Sequence, residues 1–295
     1  MEPHGDCADV FSDKLKYLAP LVLAIASLTF ETSASAFDCS KAKTKLEKFI
    51  CSDAEMKKAD DQMNAAFFAL LSKTKDKDFR EALIKSQKRW LENRTPDGKV
   101  WAEGAGTDVV HEDGPEVKQF IIDASSNRKD FLQSEDPIVS METQRNLRLK
   151  DGGGKYEGYY TSCWFVEPPW GEANEYVCVG MMRRQKGNRV CTAGSEWASG
   201  HETYVRVVSE VVNGQLKHIA TCKEGYSGNT CPGQKADEGA HWTINPKDVE
   251  KDTTSVARFW KYDPDSTMVE GRDWTDDCVE QQIYPPANEA QSDQP

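Results

Sequence analysis

Residues 37–74, FDCSKAKTKLEKFICSDAEMKKADDQMNAAFFALLSKT, contain neither Gly nor Pro and are dense in helix formers. Within them Met56, Ala59, Met63, Phe67 and Leu70 recur every three or four residues, which builds one apolar face of a helix. A shorter stripe, Ala42, Leu46, Phe49 and Ile50, precedes it. Ser52 and Glu55 have capping-box spacing, so the longer helix is expected to start at Ser52. Phe79, Leu83, Ile84, Trp90 and Leu91 define a third helix. Three such helices can cover one another, and a disulfide would help so small a core. An unbroken helix from Cys39 to Cys51 would hold them about 18 Å apart, beyond disulfide reach. The bond expected between them therefore requires the chain to turn or to leave one cysteine outside a helix.

Further on, Pro96, Gly98, Gly104 and Gly106 end the helical block, and Val117, Phe120, Ile121 and Ala124 outline another helix around residues 115–124. After DGGGK (151–155) the period changes. YEGYYTSCWFV, EYVCVGMM and TYVRVVSEVV are rich in aromatic and branched residues and read as strands. In YVRVVSEVVNGQLKHIATC (204–222), Asn213-Gly214 can supply the positive φ angles of a two-residue hairpin turn. Ser209 and Lys217 are expected to face water, and Val207, Val211, Leu216 and Ile219 to lie on a covered side. The fold class is thus α+β. A small disulfide-linked helical domain (37–100) and a linker with a helix (101–150) precede a larger antiparallel β-rich domain (151–284) and a flexible tail (285–295).

Towards the N-terminus, KLKYLAPLVLAIASLTFETSASA places two lysines before a short apolar run and ends in Ala34, Ser35 and Ala36. Residues 1–36 read as a secretory signal peptide cleaved before Phe37, with a retained anchor as the alternative and no integral membrane domain after signal removal. The expected destination is the periplasm or the extracellular space. The eight remaining cysteines, Cys39, Cys51, Cys163, Cys178, Cys191, Cys222, Cys231 and Cys278, then read as four disulfides. Cys222 and Cys231 are expected to close the short KEGYSGNT loop, leaving Cys163, Cys178, Cys191 and Cys278 to join the β-rich body.

The net charge of -12 argues against a general nucleic-acid binder, because phosphate-facing surfaces need an excess of Lys and Arg. Residues 37–94 carry +4 and residues 95–295 carry -13, so the acidic field belongs to the distal part. His111, His201, His218 and His241 are far apart in sequence and form no metal-binding motif, and DGGGK lacks the pattern of a phosphate-binding loop. No catalytic residue, metal site or cofactor is therefore assigned, and no enzymatic activity is expected. Asp273, Asp276, Asp277 and Glu280 are hard-cation ligands by type, yet their spacing is not that of an EF-hand. They read as a solvated acidic surface or a contact for a basic partner, with Asp273, Asp276 and Asp277 as the partner-binding candidates. Tyr159, Tyr160, Trp164, Phe165, Trp170 and Trp197 read either as core around the disulfides or as a recognition patch for a protein or glycan.

The stretch 37–74 together with SQKRWLENR (86–94) resembles the N-terminal domain of the LprI-like lysozyme-inhibitor family. The resemblance rests on Cys39, Ala42, Glu47, Ile50, Cys51, Met56, Asp60, Gln87, Trp90, Leu91 and Arg94 and covers about residues 37–96. It implies an exported helical protein of the bacterial envelope and, by analogy with some members, lysozyme inhibition. Lysozyme is basic and cleaves glycan with paired carboxyl groups, so an inhibitor has to occupy or block its cleft. The expected function is stoichiometric masking of a basic lysozyme. The alternatives are a non-inhibitory module that binds an envelope protein or glycan, and a hydrolase of unknown class.

Overall fold

The structure, a computed structural model, describes residues 38–94, 115–166, 175–198, 201–223, 242–247, 256–266 and 272–280. The expected signal peptide and tail lie outside these residues. A 3-10 turn, Cys39–Lys41, leads into α1 (Lys45–Ser52), α2 (Ala54–Lys73) and α3 (Lys77–Asn93). Cys39 sits on the turn and Cys51 inside α1, which brings their Cα atoms to 5.7 Å and lets them form the expected disulfide.

The capping box is at Thr44, not Ser52. The Thr44 hydroxyl accepts from Glu47 N at 3.1 Å, and the Glu47 carboxylate accepts from Thr44 N at 2.8 Å. Ser52 is the last residue of α1, and its hydroxyl donates to Phe49 O. Asp53 caps α2 instead, accepting from Glu55 N and Met56 N. One residue in extended conformation both ends α1 and starts α2, and a carboxylate there gains from the helix N-terminal charge.

On α2, Met56, Ala59, Met63 and Phe67 are buried as the periodicity predicts. On α3, Phe79, Leu83 and Trp90 are buried, but Ile84 and Leu91 are 49% and 37% exposed. The buried stripe is filled at its middle by Ser86 and Gln87, both buried polar residues. Within the stretch read as a linker with one helix (101–150), the structure has two helices packed into the same core, α4 (Pro115–Gln133) and α5 (Asp136–Asp151). Val117, Phe120, Ile121 and Ala124 are the buried face of α4 as expected. DGGGK is the stop of α5: Gly152 takes a left-handed φ of 91°, and Gly153 N donates to Arg148 O at 2.9 Å.

The remainder is a six-stranded antiparallel meander in the order β1 (Gly158–Phe165), β2 (Tyr176–Lys186), β3 (Arg189–Ala198), β4 (His201–Val212), β5 (Gln215–Lys223) and β6 (Thr243–Ile244). The chain is therefore a helical, disulfide-stabilised N-terminal region followed by a larger antiparallel sheet region. Asn213 and Gly214 make the β4–β5 turn with φ of 51° and 75°. Lys217 is exposed as expected, whereas Ser209 is fully buried and shares a 2.9 Å hydrogen bond with His218 Nδ1. Alternation puts Ser209 on the same face of β4 as Val207 and Val211, and Val208 on the opposite face is buried as well, so both faces are covered there; the extra residue Ile219 is a bulge on β5.

Val190 and Cys191, neighbours pointing to opposite sides of β3, are both fully buried, so both faces of the sheet are covered there. One cover is α6 (Arg272–Glu280), whose Trp274, Cys278 and Val279 pack on Cys191, Ala193, Val208 and Ala220. Cys278 bonds to Cys191, and Cys163 bonds to its direct cross-strand partner Cys178. Cys222 is also disulfide-bonded, but the expected Cys222–Cys231 pairing lies outside the described residues. At the free edge of β1, Trp260 exchanges two backbone hydrogen bonds with Tyr159. That contact anchors a strap, residues 261–266, whose Tyr262, Asp263 and Asp265 are buried. Tyr262, Phe165 and Tyr176 all pack on the helical core, so the helices share one core with the adjoining ends of β1 and β2, and the α6 face of the sheet forms a second.

Candidate functional site

The segment SQKRWLENR lies at the end of α3, where Ser86, Gln87, Trp90 and Arg94 turn inward and Lys88, Leu91 and Glu92 are exposed. Trp90 is buried, and Arg94 stacks over its ring while pairing with Asp60 of α2 at 2.5 Å. Arg89 reaches the strap, holding Asp263 through two bonds of 2.8 and 2.7 Å and Asp265 through one of 2.6 Å. Arg128 of α4 donates to Asp265 at 2.8 Å, to Ser86 at 2.6 Å and to Gln87 at 3.1 Å. Ser86 in turn donates to Asp265 at 2.8 Å. Gln144 of α5 accepts from Asp263 N and donates to Asp263 O.

Two arginines thus meet two aspartates inside the protein, and the cluster is formally neutral. Burial alone would raise the Asp265 carboxyl, but Arg128 and Arg89 hold it below the usual carboxylate range. Burial opposes the charge on Arg89 as well, and Asp263 and Asp265 outweigh it to keep the guanidinium protonated. The arrangement suits adhesion between elements rather than proton transfer, since every charge is answered by a fixed partner.

Beside the cluster is a cavity of about 310 Å³ walled by Trp90, Phe131, Phe165 and Tyr176, with Arg128 and Asp265 at its buried end. Asn127 and Glu175, both exposed, form its outer end. Phe165 and Tyr176 rings lie 5.0 Å apart, and Phe165 meets Phe120 edge-on at 5.0 Å. Burial, with Asp265 close by, pushes the Tyr176 hydroxyl above the ordinary phenol range.

The acidic candidates lie on α6. Asp276 is half-buried and pairs with Arg184, itself held through bonds of 2.5 and 2.6 Å by Asp151, and with Lys150 at 3.5 Å. Asp277 is exposed, and the Asp273 side chain lies outside the described residues. Glu280 pairs with Lys186. Asp276 and Asp277 therefore have different surroundings, with Asp276 committed to an ion network.

The aromatic residues do not form one patch. Tyr159 is buried, Tyr160, Trp164 and Phe165 are half-buried on alternate faces of β1, and the side chains of Trp170 and Trp197 lie outside the described residues. His218 is the one histidine with a described side chain, and burial together with Arg183 holds its pKa below the ordinary value. Its partner Ser209 is fully buried and so has no route to a substrate. Among the described residues there is no cluster with the makings of a metal site, and no helix is long and apolar enough to cross a membrane.

The sequence reading missed Ser86, Arg89, Arg128, Asp263 and Asp265. Their signal was polar side chains standing in apolar stripes, at Ser86 on α3 and Arg128 on α4.

A short helical unit closed by a local disulfide, with an inward Arg/Trp segment on its third helix, defines the class of the N-terminal region. Residues 38–130 match the family model described as lysozyme inhibitor LprI. The match runs through α4 and includes Arg128, beyond the 37–96 of the sequence resemblance. The sheet region lies outside it. No curated protein and no solved structure matches the chain.

Proposed function

We propose that this is an exported envelope protein that binds lysozyme and masks it stoichiometrically. The observation that carries the reading is the match of residues 38–130 to the lysozyme-inhibitor family. Disulfides in both the helical and the sheet region agree with an oxidising compartment such as the periplasm or the extracellular space. The net charge of -12 agrees with a basic partner drawn in by long-range attraction. Masking needs a persistent surface rather than turnover, and the sheet and its disulfides give the helical unit a rigid base.

The test is a titration of lysozyme with the oxidised mature chain. Masking predicts activity falling linearly to zero at a fixed stoichiometry, with intact lysozyme recovered on dissociation. Fragmented lysozyme would favour a hydrolase instead. The second reading is a non-inhibitory module that binds an envelope protein or glycan, favoured by the position of the whole sheet outside the family match. Binding of lysozyme without loss of activity would support it.

A further inference from the structure

An apolar recess opens between α3, α4 and the neighbouring ends of β1 and β2. Its inner charges cancel, because Arg128 is satisfied by Asp265, Ser86 and Gln87. A charged group entering it would gain no net field and would lose its water. Its walls are rings that remain partly uncovered: Phe131, Phe165 and Tyr176 are all half-buried. At about 310 Å³ it accommodates a single large side chain rather than a stretch of chain.

The rim has the opposite character. Glu175 is exposed at the β2 end, and Asn127 is exposed on α4. Asp123 and Asp130, four before and three after Asn127, share its side of the helix. Lys129 answers Asp130 at 3.2 Å, so the acidic character comes from Glu175 on the rim and from Asp123 beside it on α4. The larger groove of about 710 Å³ between the α2–α3 and α4–α5 turns is lined by Lys73, Lys75, Asp76, Glu135 and Glu142, both signs intermixed along its length.

We infer that this pocket is a docking site for a large apolar side chain, flanked by cationic residues, on a basic protein. Protein interfaces concentrate binding energy where such an anchor fills a desolvated pocket inside a polar rim. The inference rests on the reading above, which makes that protein lysozyme, and it places the contact on the family-matched helices rather than on α6.

The experiment compares the oxidised mature chain with Asn127→Trp, which builds a ring into the recess from an exposed helix position, and Glu175→Lys, which reverses the rim. Asp277→Lys reverses the competing acidic candidate on α6. Binding to purified lysozyme is measured by calorimetry and by inhibition, with thermal unfolding confirming that each variant is folded. Each pocket variant is expected to raise Kd about tenfold or more, with Asp277→Lys within about twofold of the parent. Unchanged affinity in both pocket variants, in a parent that inhibits, overturns the docking site and leaves the lysozyme reading standing. A parent that does not bind at about 10 μM overturns both. A parent dimer converted to a monomer by Asn127→Trp assigns the pocket to a second copy and overturns it as well.

Discussion

Replacing Asp265 by Ala removes the one carboxylate that both arginines of the buried cluster share. Three accepted hydrogen bonds go with it, from Arg128, Arg89 and Ser86. Arg89 keeps its paired contact with Asp263, but Arg128, with its side chain only 3% exposed, is left without a carboxylate. Breaking one side of a buried ion pair costs about 3–5 kcal/mol, because the orphaned charge remains desolvated. We expect about 4 kcal/mol here, or a midpoint lowered by roughly 10 °C in a chain of this size. Urea unfolding of the oxidised chain measures it. Arg128→Met in the Asp265→Ala background should recover part of the loss by removing the orphan, giving a coupling energy above about 1 kcal/mol. A loss below about 1 kcal/mol in Asp265→Ala, or additive effects, would refute the clamp. The pH dependence has a definite sign. The native carboxyl is held below its unfolded value, so its contribution is present above the unfolded pKa and is lost as pH falls through the folded one.

Glu157 gives the opposite sign. Burial pushes its carboxyl up to about 7, and Arg148 at 3.8 Å only partly compensates, so its contribution to stability is present at low pH and is lost as pH rises from the unfolded value through about 7. Glu157→Gln should stabilise the chain at pH 8 by on the order of 2 kcal/mol, discounted for water that still reaches the group, and change little at pH 4; equal unfolding midpoints at both pH values for parent and variant would sink this. Replacing Cys191 and Cys278 by Ala opens a bond between residues 87 apart and should cost about 2–5 kcal/mol in chemical unfolding, concentrated in the packing of α6 on the sheet. Gly158→Ala should weaken the edge contact, since a methyl there would stand 2.6 Å from Trp260 O; amide exchange at Trp260 should quicken, and unchanged exchange would contradict it.

What the sequence made legible was local. The α2 stripe, the Val117–Ala124 face, the turn at Asn213-Gly214 and the Cys39–Cys51 bond each depend on residues close in the chain, where period and turn chemistry speak directly. The Ser52 cap failed because Asp53, one position later, is an equally good cap and brings a charge suited to the helix N-terminus. Ser209 was placed in water by its residue type, although strict alternation puts it on the face of Val207 and Val211, and nothing local announces a strand covered on both faces. Ile84 and Leu91 were counted as core by their type, although Ser86 and Gln87 hold the buried positions between them. Beyond the hint of a polar residue in the stripe at Ser86, those two were hard to read as core because their partners are remote: Ser86 meets Asp265 across 179 positions and Gln87 meets Arg128 across 41.

The same remoteness bears on how the family-matched region works in this chain. Ser86, Gln87 and Arg89 spend their hydrogen bonds on Arg128 and on the strap, which comes from beyond the sheet. A polar segment engaged in this way is not available to a partner, which is consistent with the proposed docking at the recess beside α4 and Glu175. It also makes the helical unit dependent on the rest of the chain. A fragment ending at residue 151 would retain Arg89 and Arg128 but neither Asp263 nor Asp265, placing two guanidiniums beside an uncovered apolar core. Binding assigned to the helices is therefore best measured on the full mature chain, where a lost contact and a lost fold can be told apart.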